Sequence, residues 1–117
     1  MILSDIKEML AVPTAYEAFD AELLIHSRAA LTEAFQMGLL LDDVTPDSIL
    51  SLTFDVGWAD IFRPNVITMA KLWLPMKIRK RWDPPQGAAL TAVDSTIADM
   101  EGRMVMQVES EVLNQNE

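Results

Sequence analysis

Between Gly87 and Val112, the apolar residues Leu90, Val93, Ile97, Met100, Met104 and Val108 recur three and four positions apart, the spacing that aligns side chains on one face of an α-helix. This is the longest amphipathic pattern in the chain. A helix with a single apolar stripe is stable only where other elements cover that stripe. Three further helical patterns can do so, and the expected fold class is therefore mainly all-α: a small bundle of four helices with a long final helix.

One of these helices runs from about Tyr16 to Met37 and stops at Gly38, a residue suited to the left-handed position after a helix end. Phe19, Leu23, Leu24, Ala30, Leu31, Ala34, Phe35 and Met37 gather on its apolar face, and Glu22, Arg28, Thr32, Glu33 and Gln36 lie opposite. Ile25 and Ala29 fall among the polar residues of the same wheel. They are candidates for subunit contact, although single exposed apolar residues are also ordinary.

The next helix, Pro64 to about Arg81, opens with proline at a favoured first-turn position and is apolar on two sides, Val66, Met69, Ala70, Trp73 and Met76 on one and Ile67, Leu74 and Ile78 on the other. A helix of this kind belongs in the middle of a bundle. Pro75 removes a backbone donor and crowds the carbonyl of Lys71, so a kink is expected there between a buried and a basic half. Trp82-Asp83-Pro84-Pro85 ends the helix, since a residue before proline avoids helical geometry. A short first helix, with Ser4 as N-cap and Ile6, Met9 and Leu10 as its apolar edge, should dock as a flap.

Leu50, Leu52, Phe54 and Val56 alternate with Ser51, Thr53 and Asp55, so residues 39–57 read as an extended loop or a short β segment. Leu39 to Leu41 or another subunit would have to pair with that segment. Trp58 to Phe62 reads as one helical turn.

A chain of 117 residues is the size of one domain, here 1–117 with a polar tail at about 113–117. Half of its residues are apolar and its mean hydropathy is +0.16, so part of the apolar surface is expected to meet a partner. Eight Met residues suit adaptable contacts as well as gap-filling in a core. With no Cys there is no disulfide framework or thiolate site, and the composition fits a cytoplasmic folding compartment. The opening MILSDIKEML lacks the basic and long apolar regions of a signal peptide. Val66 to Met76, the richest apolar run, is broken by Lys71 and Pro75, so no membrane span is expected.

Of the nine basic residues, Arg63, Lys71, Lys77, Arg79, Lys80 and Arg81 fall in a window from 63 to 81 that holds no Asp or Glu. The remaining 3 basic and 18 acidic residues give −15 within a net charge of −9. Two readings stand side by side. The window can attract the acidic part of another copy, with Lys77, Arg79, Lys80 and Arg81 as the charge interface, or it can serve only the C-terminal dipole of its own helix.

Residues for chemistry are sparse. His26 is the single histidine and flanks a buried face, where a structural role is ordinary. Asp42, Asp43 and Asp47 lack the order of a calcium loop and read as a solvated acidic turn. No phosphate-binding or nucleophile motif occurs, so no enzyme activity, cofactor or metal is expected. Trp73 and Trp82 beside the cations suit single-stranded nucleic acid, but a pI of about 4.4 opposes binding to a polyanion.

The order of elements from Arg63 to Glu109 resembles the C-terminal half of the small head-tail connector (adaptor, head-completion or neck) proteins of long-tailed bacteriophages. There, a hydrophobic helix with aromatic and basic residues ends in a [FW]-D-P-P turn and is followed by a helix with an E-x-R pair. Trp82-Asp83-Pro84-Pro85 matches the turn, and Glu101 and Arg103 match the pair. Phe19, Asp20 and His26 match the F-D-x-x-I-x-x-H-I-N pattern of the N-terminal half. The resemblance covers most of the chain. Pro75 and the long apolar stretch Leu39 to Val56 depart from it, which bears on the detailed geometry of a ring.

The resemblance implies a structural virion protein in the phage neck: a homo-oligomeric ring of about twelve copies that binds the portal protein above and a stopper or tail-completion protein below. DNA would pass through its lumen without sequence-specific binding. Assembly would occur in the host cytoplasm, without a membrane. The portal-docking tail carried over from the family comprises Gln107, Val108, Val112, Leu113, Asn114, Gln115, Asn116 and Glu117. The competing expectation is a soluble helical interaction module or regulator outside any virion, binding one partner in a groove.

Overall fold

The computed structural model describes residues 1–13, 16–53, 55–82 and 84–115, with side chains through residue 111. Phe54 of the alternating stretch, Asp83 of the W-D-P-P turn and Asn116 and Glu117 of the tail lie outside the described residues, as do the side chains of Val112, Leu113, Asn114 and Gln115. The described residues form five α-helices: α1 (Ile2–Met9), α2 (Asp20–Gln36), α3 (Pro46–Leu50), α4 (Ile67–Trp82) and α5 (Ala88–Gln115), with 3-10 turns at Trp58–Asp60 and Pro64–Val66. The fold is an all-α bundle with no strand among the described residues.

α4 is the central element, touching α1, α2, α5 and both 3-10 turns. Its residues Ala70, Trp73, Leu74 and Ile78 are fully buried, as expected for a helix apolar on more than one side. The helix continues through Pro75, whose ring is buried. Lys80 meets Asp94, Trp73 meets Glu101, and Asn65 meets Gln107. The long α5 therefore runs antiparallel to α4 and covers it with Ile97, Met100 and Met104.

α2 ends as its glycine foretells. Gly38 has φ +78, and the amides of Gly38 and Leu39 donate to the carbonyls of Phe35 and Ala34 at 3.0 and 3.1 Å. This pair of bonds satisfies the last helical carbonyls. Residues 16–19, expected to be helical, instead precede α2 as a turn, where Phe19 packs edge-on against Trp82 at 5.2 Å. Phe35, placed on the apolar face, is 40 % exposed.

The buried Ser27 Oγ finds no hydrogen-bond partner among the described residues. Ser27→Ala is thus expected to raise stability by about 1 kcal/mol, because it removes an unpaired buried hydroxyl and improves helix propensity. A urea midpoint shifted upward with an unchanged slope is the expected readout.

Residues 39–57 depart from the β alternative. Thr45 caps α3: its Oγ1 accepts from the Ser48 amide at 3.3 Å, and Ser48 Oγ accepts from the Thr45 amide at 2.8 Å. Pro46 occupies the first turn of that helix. Leu50 is thereby helical and 68 % exposed, which breaks the alternation. Leu39 to Leu41 pair instead with Ile61 to Arg63, through one antiparallel bridge between Leu40 and Phe62 and two flanking backbone bonds. Arg28 donates twice to the Leu52 carbonyl, at 2.8 and 3.3 Å, and ties the following loop to α2.

α1 is docked as expected, with Ile6 in the core and Leu10 packed against it, but Ile2 takes the place expected of Met9. Ile2 and Ile6 are fully buried while Met9 is 48 % exposed. Ser4 lies inside the helix and donates to the Met1 carbonyl, with Met1 at the N-cap position.

Candidate assembly surfaces

The basic window divides by helical phase. Lys77 points into the bundle, where Nζ lies 2.8 Å from Glu33 and 3.4 Å from Glu101 and 5.8 Å from the Trp73 ring centroid. Glu101 also accepts the Trp73 indole N–H at 3.1 Å. These contacts join α2, α4 and α5 at one partly buried node, where ion pairs are screened less than on the surface. Lys80 binds Asp94 of α5 at 2.6 Å. Arg63 donates to the Gly38 carbonyl and to Asp42, at 3.0 and 2.7 Å, pinning the corner after α2.

Lys71, Arg79 and Arg81 differ from these. They are exposed, and no carboxylate among the described residues lies within ion-pair distance of them. Three of the window's six cations are therefore engaged within the fold, and three remain for solvent or a partner.

The E-x-R residues separate in the same way. Glu101 faces the Trp73–Lys77 node, whereas Arg103 is exposed and pairs with Asp99 one turn earlier at 3.0 Å. On α2, Ile25 is 63 % exposed and Ala29 is half-buried. Ile25 stands opposite the buried side formed by Leu23, Ser27, Ala30, Leu31 and Ala34. His26 is half-buried beside that face. Asp42 is held by Arg63, and among the described residues no three His, Asp or Glu side chains gather to hold a metal ion.

Asn65 Nδ2 donates to the Gln107 carbonyl at 2.9 Å, which sets the height of α5 against α4. Residues 108–115 continue as helix, about 12 Å at 1.5 Å per residue, beyond that contact. Gln107 is exposed and Val108 half-buried. No pattern in the sequence points to the open groove of about 770 Å³ along the α4–α5 seam, lined in part by Asn65, Met69, Arg103, Met106 and Glu111. Met106 and Leu72 are 66 % and 53 % exposed. Met69 reads as core from its spacing, and only the position of α5 shows it at the edge.

No described helix is long and apolar enough to cross a membrane. No curated protein and no solved structure matches the chain at a significant level. The family model for phage connector protein matches residues 2–111, from the first residue of α1 to the last side chain described on α5. The chain belongs to the phage connector protein family.

Proposed function

We propose that the protein is a structural component of the phage neck, a homo-oligomeric ring of about twelve copies. In this reading it binds the portal protein on one side and a stopper or tail-completion protein on the other, with DNA passing through the lumen unread. The family match over residues 2–111 carries the proposal, because it spans the whole helical unit. The exposed apolar residues Ile25, Leu50, Leu72 and Met106 support it as surface available to neighbours. A net charge of −9 suits a wall that DNA slides past rather than binds. The proposed role is non-enzymatic, consistent with one His and no Cys in the sequence. The last turns of α5, Gln107 to Gln115, are the segment offered to the portal, and they continue past the contact with Asn65.

Molar mass in solution by light scattering, with and without the portal protein of the same phage, tests this reading. A ring-sized species, alone or only on the portal, is expected. A monomer under both conditions would favour a module that binds a single partner.

Within that assembly, Arg79→Glu with Arg81→Glu is expected to weaken association about tenfold, since exposed pairs contribute roughly 0.2–1 kcal/mol each and reversal adds repulsion. Added salt should weaken the wild type. The unfolding midpoint of this variant should fall slightly, because two carboxylates replace cations favoured at the C-terminal end of α4. Lys77→Glu, placed between Glu33 and Glu101, should lower the midpoint further, since it sets three carboxylates together at a partly buried site. If the arginine reversals leave assembly unaffected, these cations serve only the end of α4.

A further inference from the structure

We propose that the α4–α5 seam is the seat for α2 of a second copy of this chain, with Ile25 entering beside Leu72 and Met69. The inference rests on the ring reading and deepens it by naming the two surfaces that meet. At 100° per residue, the side of α4 that carries Ala70, Leu74 and Lys77 faces α2, and Met69, Trp73, Met76 and Lys80 face α5. Leu72 and Arg79 fall on the arc that points away from α2. Ile25 points away from α4 on the far side of α2. The most exposed large apolar residue of α2, Ile25 at 63 %, and that of α4, Leu72 at 53 %, thus stand on opposite sides of the molecule.

Opposite placement decides the kind of contact. Two unlike surfaces that meet head to side repeat from copy to copy and close into a ring when the rotation allows, whereas a self-complementary patch stops at a dimer. The seam offers the groove of about 770 Å³ beside Met69 and Met106 and a smaller one of about 330 Å³ beside Met76 and Arg79. Methionine side chains adapt to an inserted apolar knob.

Charge selects the same occupant. Arg79 is exposed on the same arc as Leu72 without an ion pair among the described residues, while in the larger groove Arg103 is paired with Asp99 and Glu111 also contributes to the lining. The outer side of α2 carries the exposed Glu22 next to Ile25, and Glu17 is exposed just before the helix. With Ile25 seated beside Leu72, the carboxylates of Glu22 and Glu17 lie along α2 within reach of the unpaired Arg79 one to two turns further along α4.

Cross-linking tests this directly because the chain has no cysteine of its own. The double variant Ile25→Cys/Leu72→Cys, assembled alone or on the portal and oxidised with diamide, is expected to give a ladder of covalent multimers. Each single variant should remain monomeric on the same gel. A double variant that stays monomeric while light scattering shows intact rings would overturn the inference and leave the ring reading standing, as would a covalent dimer from Ile25→Cys alone. Absence of any assembly would remove the ring reading and this inference with it. As an independent check, Ile25→Glu should weaken assembly at least about tenfold with no change in the unfolding midpoint, since the side chain is exposed.

Discussion

Trp73→Ala is expected to lower stability by about 3–5 kcal/mol, a large share of what holds a domain of this size together. The Trp73 side chain has no exposed surface and sits where α4 turns from its α2 side to its α5 side, so truncation opens a cavity between three helices. The loss is more than volume. Glu101 forfeits the indole N–H at 3.1 Å, and Lys77 forfeits the ring beneath its ammonium. Trp73→Phe separates these contributions, since it keeps most of the apolar volume and drops the donor, and a cost of about 1–2 kcal/mol is expected. Urea unfolding followed by far-ultraviolet circular dichroism gives both numbers. A Trp73→Ala chain with the wild-type midpoint would contradict the packing of α4 described above.

The helices that the sequence makes legible are those whose own residues specify them. α5 follows from a three-and-four spacing sustained from Leu90 to Val108, and the end of α2 follows from Gly38. α3 was hidden because its cap reciprocates through Ser48 where a Glu or Gln is the familiar partner, and because Leu50, Leu52 and Val56 mimic a strand period in a segment with no adjacent strand. The pairing of Leu39 to Leu41 with Ile61 to Arg63 is a long-range choice that no local pattern encodes. Similarly, the apolar edge of α1 depends on where α4 lies, which is why Ile2 rather than Met9 is buried.

The surfaces show the same division. A run of cations free of acids is visible at once between 63 and 81, but its sorting into engaged and exposed residues depends on carboxylates that are distant in sequence. Glu33 and Asp94 reach Lys77 and Lys80 only after α2 and α5 have packed on neighbouring flanks of α4. Ile25 could be singled out because it violates its own wheel. Leu72 and Met106 could not, since their helices carry apolar residues in many directions and only the assembled bundle shows which of them stay uncovered.

Lys7 is the residue whose role the sequence disguises most. In the first ten residues it reads as a charge that interrupts an apolar segment, yet it is 3 % exposed, with Nζ on Asp20 of α2 and 2.9 Å from the Tyr16 carbonyl. Asp20→Ala is expected to cost about 2 kcal/mol, because the ammonium stays buried without its carboxylate while keeping the Tyr16 carbonyl. Lys7→Met is expected to cost less than about 1 kcal/mol, since the apolar chain fills similar space and no buried cation remains. Asp20, 29 % exposed, can then turn to water. In the double variant, Asp20→Ala should add little to Lys7→Met, the signature of two residues acting as one unit. Hydrogen exchange at the Ile2 amide, which donates to the Val56 carbonyl at 2.9 Å, reports undocking of α1 separately from global unfolding. Faster exchange there in Asp20→Ala than in Lys7→Met would identify the ion pair as the latch of the N-terminal helix. The reverse order would assign that role to the packing of the Lys7 stem.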